Sequence, residues 1–221
     1  MKVIIFGATG MIGSGVLLEC LRNPGIESVL AIGRSRTSLA RPRLRELVRT
    51  NLFDYTDVQD ELSGYDACFF CLGVSAAGMK ESDYSRITHD LTMAAAGALL
   101  ELNPRITFCY ISGQGTDSTE RGRFMWARVK GRTENALLAM PFRAFMFRPG
   151  FIRPTHGVRS RTPLYRAVYA VAGPVYPVLR RVFPKHVTTS ESLGRAMIRV
   201  AMEEYPRRIL ENADINALAE A

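Results

Sequence analysis

The sequence predicts an α/β fold: a doubly wound parallel β-sheet with helices on both faces, followed by a small C-terminal substrate or lid subdomain. Three observations predict it. Short apolar runs alternate with segments of helical periodicity over residues 1–150. Some runs, such as Tyr65 to Leu72, are apolar almost throughout, as strands buried on both faces must be. A glycine-rich turn, Gly7 to Gly13, joins the first apolar run directly to the first helical segment.

The elements follow in order. Lys2 to Phe6 is a strand. Met11 to Arg22 has helical spacing in Ile12, Val16, Leu17, Cys20 and Leu21, and Asn23-Pro24-Gly25 stops it. Ser28 to Ile32 and Leu47 to Asn51 are the second and third strands, and Val58 to Leu62 is a brief helix or turn. Tyr65 to Leu72 is the fourth strand, and Ser82 to Leu102 is a long alanine-rich helix. Ile106 to Ser112, a helix over Phe124 to Met140, and Phe142 to Phe147 complete the alternation. Right-handed crossovers then place helices on both faces of the sheet.

After Gly150 the rhythm breaks. Residues 151–189 hold Pro154, Pro163, Pro174, Pro177 and Pro184 among many aromatics, and read as a lid or substrate-side segment. Residues 190–221 return to a helix, capped by Ser190, and a tail with a short extended piece and a turn of helix. The whole chain of 221 residues is read as one domain.

Composition excludes several classes. At 47% hydrophobic and 23% charged residues the chain has enough apolar side chains for a core, which excludes disorder. No uncharged apolar stretch reaches about 18 residues, so no spanning helix is expected. The net charge of +8 comes almost wholly from arginines spread along the chain, so no nucleic-acid partner is expected. Cys68 and Cys71 form a C-x-x-C, but on a buried strand they point to opposite faces and read as packing residues. The chain opens directly on a strand rather than a secretory signal, and a reducing, cytoplasmic location is the expectation. No metal site is expected.

The glycine turn carries the functional signal. Gly7 allows a tight turn, Gly10 lets the backbone approach a pyrophosphate, and Gly13 lets the helix pack closely. The helix N-terminus offers free N–H groups and partial positive charge to the phosphates. This is the dinucleotide-binding signature of a Rossmann-type fold. An acid at the end of the second strand would hold the ribose of NAD; here the strand runs into Gly33-Arg34-Ser35-Arg36. Arg34 and Arg36, with the Ser35 hydroxyl, suit a 2′-phosphate, so the expected cofactor is NADP(H) rather than NAD(H).

These motifs, with Cys71-Leu72-Gly73, Tyr110-Ile111-Ser112, Lys130 and Arg148-Pro149-Gly150, resemble the short-chain dehydrogenase/reductase superfamily. The resemblance is to its atypical, epimerase-like branch that includes the Tat-interacting oxidoreductase-like proteins. It implies that Gly7, Thr9, Gly10, Met11, Ile12, Arg34, Leu72, Gly73, Lys130 and Pro149 line the cofactor, with Asn51, Leu52 and Asp54 near the adenine. It also implies a Tyr-x-x-x-Lys pair that moves the proton and a serine, here Ser112, that polarises the substrate oxygen. The sequence departs at one position: Trp126 stands where the tyrosine belongs, ahead of Lys130. An indole N–H donates a hydrogen bond but cannot shuttle a proton.

Other proton donors are Tyr84 and His89 on the long helix and His156 beyond the last strand, whereas Tyr110 reads as a packing residue. The basic aromatic stretch from Arg153 to Lys185 reads as an amphipathic cover over the cleft. Binding of an anionic substrate such as a nucleotide-sugar, docking of a second subunit or contact with a membrane surface are its alternatives. Two functions remain open. One is an NADP(H)-dependent oxidoreductase or epimerase-like enzyme using Ser112 and Lys130 on a small carbonyl or hydroxyl compound. The other is a non-catalytic NADP(H)-sensing protein, as monomer or homodimer.

Overall fold

Residues 1–155 and 185–220 are described by a computed structural model. Its central strand, β1 (Lys2–Phe6), is buried along all but its first residue, because it is apolar on both faces. β1 pairs in parallel with β2 (Ser28–Gly33) on one side and β4 (Ala67–Phe70) on the other. β3 (Leu44–Val48) extends the first side, while β5 (Thr107–Ile111), β6 (Arg143–Arg148) and β9 (Ile209–Glu211) extend the second. The resulting order is β3-β2-β1-β4-β5-β6-β9, a seven-stranded parallel sheet of Rossmann type. The chain leaves β1 to either side, so a crevice opens beyond the carboxyl ends of β1 and β4, where such sheets bind ligands.

Residue alternation builds two cores. Val3, Ile5, Phe69 and Phe147 face α1 (Met11–Arg22), α6 (Ser190–Met202) and α7 (Asn212–Glu220). Ile4, Phe6, Phe70 and Met146 face α2 (Gln59–Leu62), α4 (Leu91–Leu102) and α5 (Met125–Ala139). On this second face Phe6, Phe70 and Phe108 form a run of rings, with centroids 5.2 Å and 5.8 Å apart. Cys68 lies in the second core and Cys71 packs against the first, as their spacing predicts. Burial pushes both thiols up, which makes them poor nucleophiles.

α1 and α6 touch through glycines. A Cβ on Gly15 would stand 2.5 Å from the Ser190 side chain, and one on Gly194 would stand 3.1 Å from the Val16 backbone. No sequence signal marked either position.

Four expectations need correction. The third strand begins at Leu44 and ends at Val48, not Leu47 to Asn51. It is an edge strand whose pairing takes in Arg45 and Glu46, so an apolar run misplaces it. The helix predicted over Ser82 to Leu102 is α3 (Glu81–Ser85), a π-helical turn (Arg86–Asp90) and α4 in succession. The cap of α6 is Thr189, whose hydroxyl accepts the Ser192 N–H at 2.9 Å, rather than Ser190. The ends of the expected lid pair as strands: β7 (Phe151–Arg153) lies parallel to β8 (Val187–Thr189). The remainder, including His156 and most of the basic aromatic stretch, lies outside the described residues.

Candidate functional site

The glycine turn is built as its spacing requires. Gly7 has φ +78°, and a Cβ there would meet the backbone of Cys71 and Leu72 at 3.0 Å. The Gly10 N–H closes the turn onto the Gly7 carbonyl at 2.9 Å. Gly10 is the N-cap of α1, and no side chain caps the helix in its place. The first turn of α1 carries no acidic residue to compete with an anion. A Cβ on Gly13 would stand 2.2 Å from the Gly7 carbonyl oxygen, so this position sets how closely α1 approaches the turn. Thr9, Met11 and Ile12 are half-buried around it, and the nearby Gly73 is open, with nothing within 4 Å of a Cβ. A bare helix end, an approachable backbone and an open strand end fit a dinucleotide pyrophosphate.

At the tip of β2, Arg34, Ser35 and Arg36 are exposed. Among the described residues, the Arg34 and Arg36 guanidinium groups have no partner. The loop after β3 is tied down by Arg49, which grips both carboxylate oxygens of Asp57 at 2.9 Å and 2.7 Å. Asn51 and Asp54 are spent on local turns, accepting from Phe53 N–H and Thr56 N–H. Leu52 does not offer its side chain to a ligand: it is 4% exposed and packs in the second core.

The partial catalytic set is assembled differently from its family pattern. The Ser112 hydroxyl is buried and donates to the Phe147 carbonyl at 3.1 Å, so it stitches β5 to β6 instead of facing a substrate oxygen. The Lys130 ammonium donates to the carbonyls of Ser112 and Ile111, the latter at 3.4 Å. Desolvation pushes its pKa down to about 8, opposed by the nearby Glu134 carboxylate. Pro149 is buried, and its carbonyl accepts the Gln114 N–H at 2.8 Å. Arg148 pairs with Glu134, a carboxylate with no exposed surface.

Trp126 lines a cleft of about 540 Å³, together with Met125, Tyr84 and the loop Val74–Ala77 that follows β4. The loop before α5 is braced by Asp117, whose carboxylate accepts from the N–H groups of Thr119 and Gly122 at 3.0 Å and 2.6 Å. Those bonds, with the Thr119 hydroxyl first among them, hold its carboxyl below the usual range. A Cβ on Gly131 would collide with the Asp117 carbonyl at 1.8 Å, which explains the glycine directly after Lys130.

Of the expected proton donors, Tyr84 lies at the cleft, buried but lining it. His89 sits on the π-helical turn with Nδ1 2.9 Å from Asp90 and does not line the cleft. Tyr110 is buried in the second core, as expected. Sequence reasoning missed the Gln114–His186 pair, with 2.8 Å between the side chains, which ties the loop after β5 to the start of β8. Two exposed polar residues 72 positions apart leave no local signal.

The chain is 28% identical over 211 residues to "Protein fmp52, mitochondrial" of Emericella nidulans, covering 91% of this chain and 88% of the relative. It is 22% identical over 210 residues to "Protein FMP52, mitochondrial" of Meyerozyma guilliermondii, covering 92% and 86%. These names correct the expected cytoplasmic location: the relatives are mitochondrial proteins. Among solved structures, a short chain dehydrogenase family protein from Francisella tularensis superposes with TM-score 0.61 at 17% identity, over 89% of each chain. The Bordetella bronchiseptica enzyme WbmF in complex with NAD+ superposes with TM-score 0.67 at 14% identity, over 99% of this chain and 77% of that one. These likenesses show a shared fold, one in which that neighbour holds a nicotinamide dinucleotide. Residues 3–118 match the model of the NAD dependent epimerase/dehydratase family. With more than half of its length matched, and with the glycine cradle and strand order described above, the chain belongs to the NAD dependent epimerase/dehydratase family.

Proposed function

We propose that this chain is an NADP(H)-dependent oxidoreductase acting on a small carbonyl or hydroxyl compound. The observation that carries the reading is the conjunction of the Gly7–Gly13 cradle with the unpartnered guanidinium groups of Arg34 and Arg36. Gly7, Thr9, Gly10, Met11, Ile12 and Gly13 would surround the diphosphate. Arg34, Ser35 and Arg36 would hold the 2′-phosphate, and Leu72, Gly73 and Pro149 would border the nicotinamide. Lys130 would steady the end of β5 at the ribose. When bound, the nicotinamide supplies or accepts a hydride. The cleft beside Trp126 is the substrate side, and Tyr84 is the titratable side chain in its described lining.

Calorimetric titration with NADPH and NADH tests this reading, with Arg34→Ala as control. Tighter binding of NADPH, lost in the variant, is the expected result. Equal binding of both cofactors by the native chain would contradict the NADP(H) assignment.

A second reading has its own observation. Trp126 cannot exchange a proton, and the Ser112 hydroxyl is engaged by the Phe147 carbonyl. Both suit a protein that binds NADP(H) without turnover. NADPH consumption with any carbonyl compound decides against it.

A further inference from the structure

We propose that the cleft beside Trp126 takes a flat, uncharged, conjugated carbonyl compound of the quinone class. The inference rests on the oxidoreductase reading above and adds the class of its substrate. Two independent observations carry it.

The first is the lining. Val74, Ala76, Ala77 and Met125 are apolar, Trp126 is flat, and the polar members are Ser75 and Tyr84. No charged side chain contributes among the described lining residues. A nucleotide-sugar brings a diphosphate into the substrate side, and a diphosphate calls for guanidinium or ammonium donors. The described walls offer it none. A volume of about 540 Å³ accommodates a compound of two or three fused rings. A Cβ on Gly115 would come within 3.5 Å of Cη2 of Trp126, so the loop after β5 stands directly against the indole ring. Within the lining, Val74 is 39% exposed, apolar surface for which a flat apolar ligand is a fitting partner.

The second is the replacement of the family's proton-donating tyrosine by Trp126, with the phenol that remains in the cleft, Tyr84, buried at 2% exposure. Reduction of an ordinary ketone creates a strongly basic alkoxide, which the family's tyrosine would protonate. Trp126 offers no transferable proton in its place. In a quinone the negative charge spreads over the ring system, so the oxyanion needs no protein acid. The quinone is reduced by two electrons, gaining one hydride from the reduced dinucleotide and one proton from water. The products are the hydroquinone and the oxidised dinucleotide.

Trp126 is the single tryptophan of the chain, so its emission reports on this cleft alone. The test titrates the full chain with phenanthrenequinone and, separately, with UDP-glucose, while calorimetry follows NADPH. Saturable quenching by phenanthrenequinone, none by UDP-glucose, and quinone-dependent NADPH consumption are expected. Ala76→Glu, which puts a charge into the wall, should weaken quinone binding at least about tenfold. If that variant fails to fold by circular dichroism, Val74→Glu at the half-exposed rim makes the same test. Saturable quenching by UDP-glucose in place of the quinone overturns the proposal. So does NADPH binding with no response to the quinone, which leaves the oxidoreductase reading intact. Quinone quenching without NADPH binding overturns the oxidoreductase reading and leaves the ligand class standing.

Discussion

The Cα of Gly13 lies against the carbonyl of Gly7, so close that a Cβ would stand 2.2 Å from its oxygen. That contact fixes the distance between the first helix and the turn where a pyrophosphate would sit. In Gly13→Ala the helix must retreat from the turn. Overpacking of this kind costs about 1–3 kcal/mol, read by denaturant unfolding. NADPH affinity should fall with it, by at least about tenfold, because the amide donors at the helix end move with the helix.

Arg34→Ala should weaken NADPH by about 1.5–3 kcal/mol, the contribution of a hydrogen bond to a charged group, and leave NADH within about twofold. Competition between the two cofactors, followed calorimetrically, reads both numbers. A loss common to both cofactors would place Arg34 outside the 2′-phosphate site.

Glu134 has no exposed surface and holds Arg148 through Nε at 3.1 Å, with Ser118 and Glu211 completing the arginine's partners. Glu134→Ala leaves a half-buried guanidinium without its principal anion. Breaking a buried pair by removing one partner costs about 3–5 kcal/mol. Chemical denaturation measures the loss, and Arg148→Ala should cost a similar amount.

Lys130, with its pKa near 8 in the folded chain, lies below the ordinary lysine value of about 10.4. Between those two values the unfolded chain holds a proton that the folded chain has released. Stability therefore rises with pH from about 8 to about 10, and the penalty for the charged ammonium is fully present below that window. The stability difference between the native chain and Lys130→Met, measured by denaturation across this range, should show that slope. A flat difference would show that the ammonium is solvated.

Trp126→Tyr places a phenol one helical turn ahead of Lys130, on the same face of α5. NADPH affinity should stay within about twofold, while reduction of simple ketones rises and acquires a pH dependence from the new phenol. Unchanged ketone turnover would mean that the ammonium, engaged by the carbonyls of Ser112 and Ile111, cannot serve the phenol.

The strands legible in the sequence were those with uninterrupted apolar runs: β1, β2, β4, β5 and β6. Their burial on both faces demands that composition. The bounds of β3 are not legible because an edge strand needs only one apolar neighbour and tolerates Arg45 and Glu46. β7 and β8 leave no sequence signal because each has three residues and finds its partner far along the chain. The glycine cradle was legible because each of its positions obeys a local backbone rule. The roles of Ser112 and Leu52 were not, because a side chain's partner depends on which strand or layer it faces. The Ser112 hydroxyl meets a carbonyl 35 residues away, and no spacing rule reaches that far.

The most direct measurement is the change in backbone amide NMR signals when NADP+ is added. The largest shifts are expected at Ala8 to Ile12 and at Arg34 to Arg36, the helix end and the β2 tip. Shifts confined elsewhere, such as the opposite edge of the sheet around Arg143 and Arg208, or no shifts at saturating NADP+, would contradict it.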